Sequence, residues 1–269
     1  MRCAVLGDPI AHSLSPVLHR AGYAALGLDW TYDAVRVPSG GLEAFLATTD
    51  AGWRGLSLTM PLKREAMALA DEVSPRAALV GAANTLVLVD GRVHADNTDL
   101  PGAVAAVRER YDGPVRSATV LGAGATAAST GLALCDLGAT RITLLARSPE
   151  RARETVAAIA RHPSAPDVQV GSLDDVPTGE VLVSTVPADA QTPDLVARCG
   201  RVPVVFEVLY DPWPTPLADS TGDRTLVGGL DLLVHQAALQ LEIFTGLPAP
   251  LARMREAGEA ALAERRSAP

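Results

Sequence analysis

The chain has 269 residues, 48% hydrophobic and 20% charged, a globular balance long enough for one large or two modest domains. A net charge of −8, a pI near 5.1 and the lack of any Lys/Arg run exclude DNA or RNA as the main ligand, though not a small anionic substrate in a local pocket. Three widely spaced cysteines without a C-x-x-C, and five histidines without ligand spacing, support neither a disulfide framework nor a metal site.

No apolar run approaches the ~20 residues of a membrane span, and "MRCAVLGDPI" is too short an apolar run for a signal peptide. A soluble cytoplasmic protein with no membrane partner is expected.

From the N-terminus, "CAVLG" reads as a buried strand, and "SPVLHRAGYAALGL" as a helix that Ser15 can cap and whose first turn suits Pro16. "TYDAVRV" alternates like a strand, "GGLEAFLAT" is a short helix and "RGLSLT" another strand. "PLKREAMALAD" reads as a helix with Pro61 in its first turn, and "NTLVLV" with "RVHAD" as a hairpin about Asp90-Gly91. Alternating strands and helices predict an α/β fold with a mainly parallel sheet.

A helix over about 100–110 leads out of this region, and "YDGPVRS" reads as a linker. A second α/β unit follows: strand, Gly-rich turn and helix in "ATVLGAGATAASTGLALCDLG", then "RITLLAR" and the helix "SPERARETVAAIA". "VQVGSL", "EVLVST", "VPVVFEV" and "TLVGG" supply further strands, before helices in "LDLLVHQAALQLEIFTG" and "APLARMREAGEAALAERR".

The Gly-rich turn carries the first chemical signal. Gly122-Ala123-Gly124-Ala125-Thr126-Ala127 is a G-x-G-x-x-A motif between a strand and a helix. Gly122 permits the tight turn, Gly124 lets backbone approach a pyrophosphate, and Ala127 is small enough for helix–sheet packing. The helix N-terminus offers free N–H groups and partial positive charge to the phosphates. The next strand ends in Arg147, Ser148 and Arg151 instead of an acid, and a guanidinium pairs with a 2′-phosphate. NADP is therefore expected over NAD.

The second signal is Lys63, the only lysine among 23 Lys and Arg residues. Arginine keeps its proton at any working pH, whereas a lysine can be tuned to exchange one. Placed near the third residue of its predicted helix, Lys63 would meet free N–H groups and the positive dipole end, which disfavour its charge. Such a lysine is a usable general acid or base. Asp99 is its candidate partner, though Asp99 or Thr98 could equally cap the helix that follows. Ser13 and Ser15 could cap or could hold a carboxylate, and Asn84 follows a Gly-containing turn.

The stretches "GDPIAHSLSPVLH", "LTMPLK", "GAANT", "DNTDLPG", "GAGATA", "ARSPER", "VLYDPWPTPL" and "GGLDLLVHQA" stand in the order in which shikimate dehydrogenases carry their motifs. The chain resembles that family from Gly7 to about Ala237. The resemblance implies a substrate-binding domain over 1–101, completed by 232–269, and a Rossmann-type NADP domain over 102–231. It implies NADPH-dependent reduction of 3-dehydroshikimate to shikimate in aromatic biosynthesis, and leaves a homodimer open.

By position, the resemblance makes Lys63 the acid–base residue paired with Asp99, and Ser13 and Ser15 the carboxylate site. Thr59, Asn84, Asp99, Tyr210 and Gln236 would hold the hydroxyls and ring. Gly122, Ala123, Gly124, Ala125 and Thr126 would cradle the pyrophosphate, and Arg147, Ser148 and Arg151 would flank the 2′-phosphate. Val208 and Gly229 would lie by the nicotinamide. Departures from the family pattern include Ser57 for asparagine, Ala125 for glycine and Glu207 for aspartate. Quinate dehydrogenases, aminoshikimate dehydrogenases and non-catalytic sensing homologues are the alternatives.

Overall fold

The computed structural model describes residues 1–267, apart from the side chains of Pro149 and Arg151. It divides into two compact units, residues 1–98 together with the chain from Leu233 onward, and Asp99–Leu232.

The first unit opens with β1 (Arg2–Gly7), α1 (Ser15–Ala25), β2 (Thr31–Arg36), α2 (Leu42–Leu46) and β3 (Trp53–Leu58). It continues through α3 (Ala66–Leu69), β4 (Glu72–Val73), α4 (Pro75–Val80), β5 (Thr85–Val89) and β6 (Arg92–Asp96). The sheet order is β2-β1-β3-β5-β6-β4. β1 lies between two parallel partners and is buried along nearly its whole length, as its unbroken apolar run requires. β5 and β6 form the hairpin, turned by Asp90 and Gly91 at φ 50 and 73. The hairpin adds antiparallel pairs to an otherwise parallel sheet.

Two local expectations are not met, the first because of tertiary hydrogen bonds. Lys63 is not helical: turns run from Met60 to Glu65, and α3 begins at Ala66. In a helix the Lys63 carbonyl would accept from Met67, but it accepts a 2.7 Å bond from Ala83 N–H, and Met67 turns to Arg64. The Glu65 carboxylate is likewise drawn away, to the N–H groups of Gly40 and Leu42. Ser15 is also not a cap: Leu14 holds the N-cap position of α1 without a side-chain bond, and Ser15 is the first helical residue.

The second unit contains α5 (Asp99–Arg110), β7 (Ser117–Leu121), α6 (Ala125–Asp136), β8 (Arg141–Ala146), α7 (Pro149–Ala160), β9 (Asp167–Ser172) and β10 (Val181–Ser184). It then runs through α8 (Pro193–Arg198), β11 (Val204–Glu207), α9 (Pro216–Asp219) and β12 (Thr225–Val227). All six strands are parallel in the order β12-β11-β10-β7-β8-β9. The doubly wound order reverses direction between β7 and β10, the switch point where such sheets bind ligands.

Two C-terminal helices follow, α10 (Gly229–Thr245) and α11 (Leu251–Ser267). The C-terminal part of α10 packs on β3 where Gly55 leaves room for the Phe244 ring. Gly22 gives α1 a similarly close approach to Leu241 and Met254. No described helix is long and apolar enough to cross a membrane.

Candidate functional site

In the second unit a cavity of about 960 Å³ opens at the switch point. Gly122, Ala123 and Gly124 after β7 form one side; Ala146, Arg147 and Ser148 after β8 form another. Gly122 has φ +105, and a Cβ there would overlap Thr185 Oγ1, so only glycine fits. Gly124 has ordinary extended backbone, and a Cβ there would meet open space. The glycine instead leaves its backbone accessible at the cavity.

α6 starts immediately after Gly124 with no side-chain cap. Its first N–H groups and dipole are therefore directed to whatever occupies the turn. Thr155 braces the turn from behind, donating to the carbonyl of Ala123 at 2.9 Å. Arg147 is exposed at the rim, and Ser148 donates a 2.6 Å bond to Glu150, which holds that carboxyl below the usual range. The side chain of Arg151 lies outside the described residues. Glycine backbone, an uncapped helix start and a guanidinium form a cradle that fits an anionic dinucleotide with a 2′-phosphate.

The opposite wall is formed by Thr185, Val186, Pro187, Asp189 and Ala190, the segment after β10. None of these was singled out in the sequence. The available signal was "EVLVST": residues that follow the strand on the far side of a switch point must line it. Beyond β11, Val208 and Tyr210 are half-buried, and Gly229 packs against the Val208 and Leu209 carbonyls so closely that a Cβ would collide. Val208 and Gly229 are thus brought together.

In the first unit a buried polar cluster joins three elements. Asn84 donates to Thr98 Oγ1 at 2.9 Å and to Gln236 Oε1 at 3.2 Å. Its own carbonyl oxygen accepts from Thr85 Oγ1 and Thr98 N–H, both at 2.8 Å, which fixes the amide orientation. Gln240, one turn beyond Gln236, donates to the Asn84 backbone carbonyl and to Thr85 Oγ1 at 3.0 and 2.9 Å. It accepts from Ser57 at 2.7 Å, and Ser57 accepts from Tyr32. Sequence reading selected Asn84 and Gln236 but missed Gln240 and the supporting roles of Ser57 and Thr98. The i, i+4 repeat of glutamine on one helix was a usable signal.

The remaining candidates are spread over both units. Ser13 is half-buried, and its hydroxyl accepts from Ser15 N–H at 3.3 Å; Ser15 is 5% exposed. Thr59 follows β3 and packs against Gly7, where a Cβ would collide with it. Lys63 lies in the first unit, partly buried; Asp99 opens the second, 6% exposed, as the acidic first-turn residue of α5. Asp96, just upstream, is held by Arg76 and Ser74, so the strand leading to Thr98 and Asp99 is anchored.

Residues 5–86 match the family described as shikimate dehydrogenase substrate binding domain. Residues 229–257 match that described as shikimate 5'-dehydrogenase C-terminal domain. The chain is 37% identical over 266 residues to a shikimate dehydrogenase (NADP(+)) of Methylobacterium radiotolerans, covering 91% of each. Its fold is similar to the crystal structure of Mycobacterium tuberculosis shikimate dehydrogenase, with a TM-score of 0.88, 41% identity and coverage of 97% and 99%. It is also similar to shikimate 5-dehydrogenase from Thermus thermophilus in complex with NADP(H) and shikimate, with a TM-score of 0.86, 30% identity and coverage of 97% and 99%.

Proposed function

The chain belongs to the shikimate dehydrogenase family, an oxidoreductase family acting on CH–OH groups, and on that premise we propose that it interconverts 3-dehydroshikimate and shikimate with NADP(H). The observation that carries this reading is the switch-point cavity, where Gly122–Gly124, the uncapped start of α6 and Arg147 present donors and positive charge together. When bound there, NADPH supplies the hydride.

The chain's own residues do the rest. Lys63 Nζ delivers a proton to the ketone oxygen as the carbon is reduced, and takes it back in the reverse direction. Asp99 accepts a hydrogen bond from a substrate hydroxyl and orients Lys63. Ser13 and Ser15 hold the substrate carboxylate. Asn84 and Gln236, already fixed by their mutual bond, offer preset polar atoms to the ring hydroxyls, with Thr59 and Tyr210 completing the set. Val208 and Gly229 flank the nicotinamide. What supports these roles is motif position, together with the burial of Ser15, Asn84, Asp99 and Gln236.

The test is absorbance at the reduced-nicotinamide band, with NADP or NAD paired in turn with shikimate, quinate or aminoshikimate. NADP with shikimate is expected to give the highest kcat/KM. Faster turnover of quinate or aminoshikimate reassigns the substrate, and no reduction in any pairing supports a sensing role instead.

A further inference from the structure

Glu207 is an ionisable side chain with no solvent exposure, and it belongs to none of the groups assigned to substrate or cofactor. It ends β11, one residue before Val208. Burial pushes its carboxyl up, against the pull of Leu209 N–H and the Thr215 and Gln191 side chains. A cost of that kind persists where the group holds something in place.

Its bonds identify what it holds. Glu207 Oε1 accepts from Leu209 N–H at 3.1 Å. Oε2 accepts from Gln191 Nε2 at 2.7 Å and from the Thr215 hydroxyl at 2.9 Å. Thr215 is committed in turn: its oxygen accepts from Ala218 N–H and caps α9. Gln191 is committed as well, its Oε1 accepting from Leu217 N–H at 2.9 Å. Val208 N–H donates to the Ser184 carbonyl, tying the same point to the end of β10.

Two loops are fastened by this one carboxylate. The first is 185–190, between Ser184 and Gln191, which forms a wall of the nucleotide cavity. The second is 208–215, which carries Val208 and Tyr210 and against which Gly229 packs. From this geometry we propose that Glu207 is a positioning residue that sets the cavity wall and the Val208–Tyr210 segment in register at the nicotinamide end of the site. The proposal rests on the dinucleotide reading of the cavity.

Glu207→Gln keeps the shape but replaces one acceptor oxygen with a donor, which loses Leu209 at the Oε1 position or Gln191 and Thr215 at the Oε2 position. Calorimetry is done with NADPH and with adenosine 2′,5′-bisphosphate, which occupies only the adenosine end; kcat and KM are measured alongside. Loss of one hydrogen bond to a buried partner predicts about a tenfold weaker NADPH Kd. The bisphosphate Kd should stay within about twofold and kcat should fall more than the KM for shikimate changes, whereas the Tm should fall because a buried donor is left unpaired. Gln191→Met, which leaves the carboxylate intact but removes the link to the wall, should act in the same direction and decides the matter where Glu207→Gln does not fold.

Equal losses for both nucleotides, or no change in either, overturn the positioning role. Wild-type protein that binds the bisphosphate but shows no split in Glu207→Gln overturns Glu207 alone. Wild-type protein that binds neither nucleotide overturns the cofactor reading and this proposal with it.

Discussion

Asn84 and Gln236 stand 152 positions apart, yet the Asn84 amide donates a 3.2 Å hydrogen bond to the Gln236 carbonyl oxygen. Both are buried, and each is held from behind: Asn84 by Thr85 and Thr98, Gln236 by its own bond to the Leu233 carbonyl. A pair prepared in this way presents polar groups in one orientation before any ligand arrives, so little ordering remains to be done on binding.

The pair depends on a residue that need not touch substrate. Replacing Gln240 with leucine strands the Ser57 hydroxyl and frees Thr85, which fixes the Asn84 carbonyl oxygen. Leaving such a buried group unpaired costs about 1–3 kcal/mol, measurable as a lower urea midpoint. KM for shikimate should rise more than kcat falls. A variant with unchanged midpoint and unchanged KM removes the supporting role.

Lys63→Ala should lower kcat by about 10² to 10⁴-fold with a modest change in KM, the range lost with a positioned proton donor. Lys63→Arg should not restore it, because guanidinium does not give up its proton near neutrality. Steady-state kinetics at saturating NADPH decide it; wild-type kcat in either variant excludes Lys63 as the proton donor.

The two glycines of the turn after β7 should separate stability from binding. Gly122→Ala places a methyl against Thr185 at φ +105 and should destabilise the fold by about 1–3 kcal/mol. At Gly124 the backbone suits any residue and the added methyl meets only open space. Gly124→Ala should therefore keep its melting temperature while NADPH binding weakens by about tenfold or more, because the backbone no longer allows close approach. Equal melting losses in the two variants would contradict the geometry.

Acid sensitivity should trace partly to Asp96. Burial pushes its carboxyl up, but Arg76 at 2.5 and 2.8 Å, with Ser74 and the Asn97 N–H, outweighs this and leaves it below the usual range. A carboxyl lowered on folding stabilises above its unfolded pKa of about 4, and the contribution is lost as pH falls through the folded value. Asp96→Asn should therefore be less stable than wild type at neutral pH, the two converging in acid. Parallel stability curves down to about pH 2 would show that the Arg76 contact contributes nothing.

Asp90-Gly91 between two alternating runs marks the hairpin, and the glycines of Gly122-Ala123-Gly124 between a strand and a helix mark the turn that lines the cavity. Arg147 and Ser148 were legible for the same reason, as the residues that end the neighbouring strand. Lys63 was misplaced onto a helix because the sequence does not reveal that its carbonyl is claimed by Ala83, twenty residues on. Ser15 could cap by residue type, but the helix starts one residue earlier than that role needs, and residue identity does not resolve a shift of one.

Residue order thus determined what is local: which segments are strands or helices, where glycine is obligatory, and which motifs belong to the shikimate dehydrogenase family. Tertiary structure alone decided what is distant: that Gln240 supports Asn84, that residues 185–190 wall the cavity, and that Glu207 fastens two loops. The physical reason is that periodicity and turn chemistry act over a few residues, whereas a buried polar group takes whichever partner packing brings within about 3 Å, however far along the chain that partner lies.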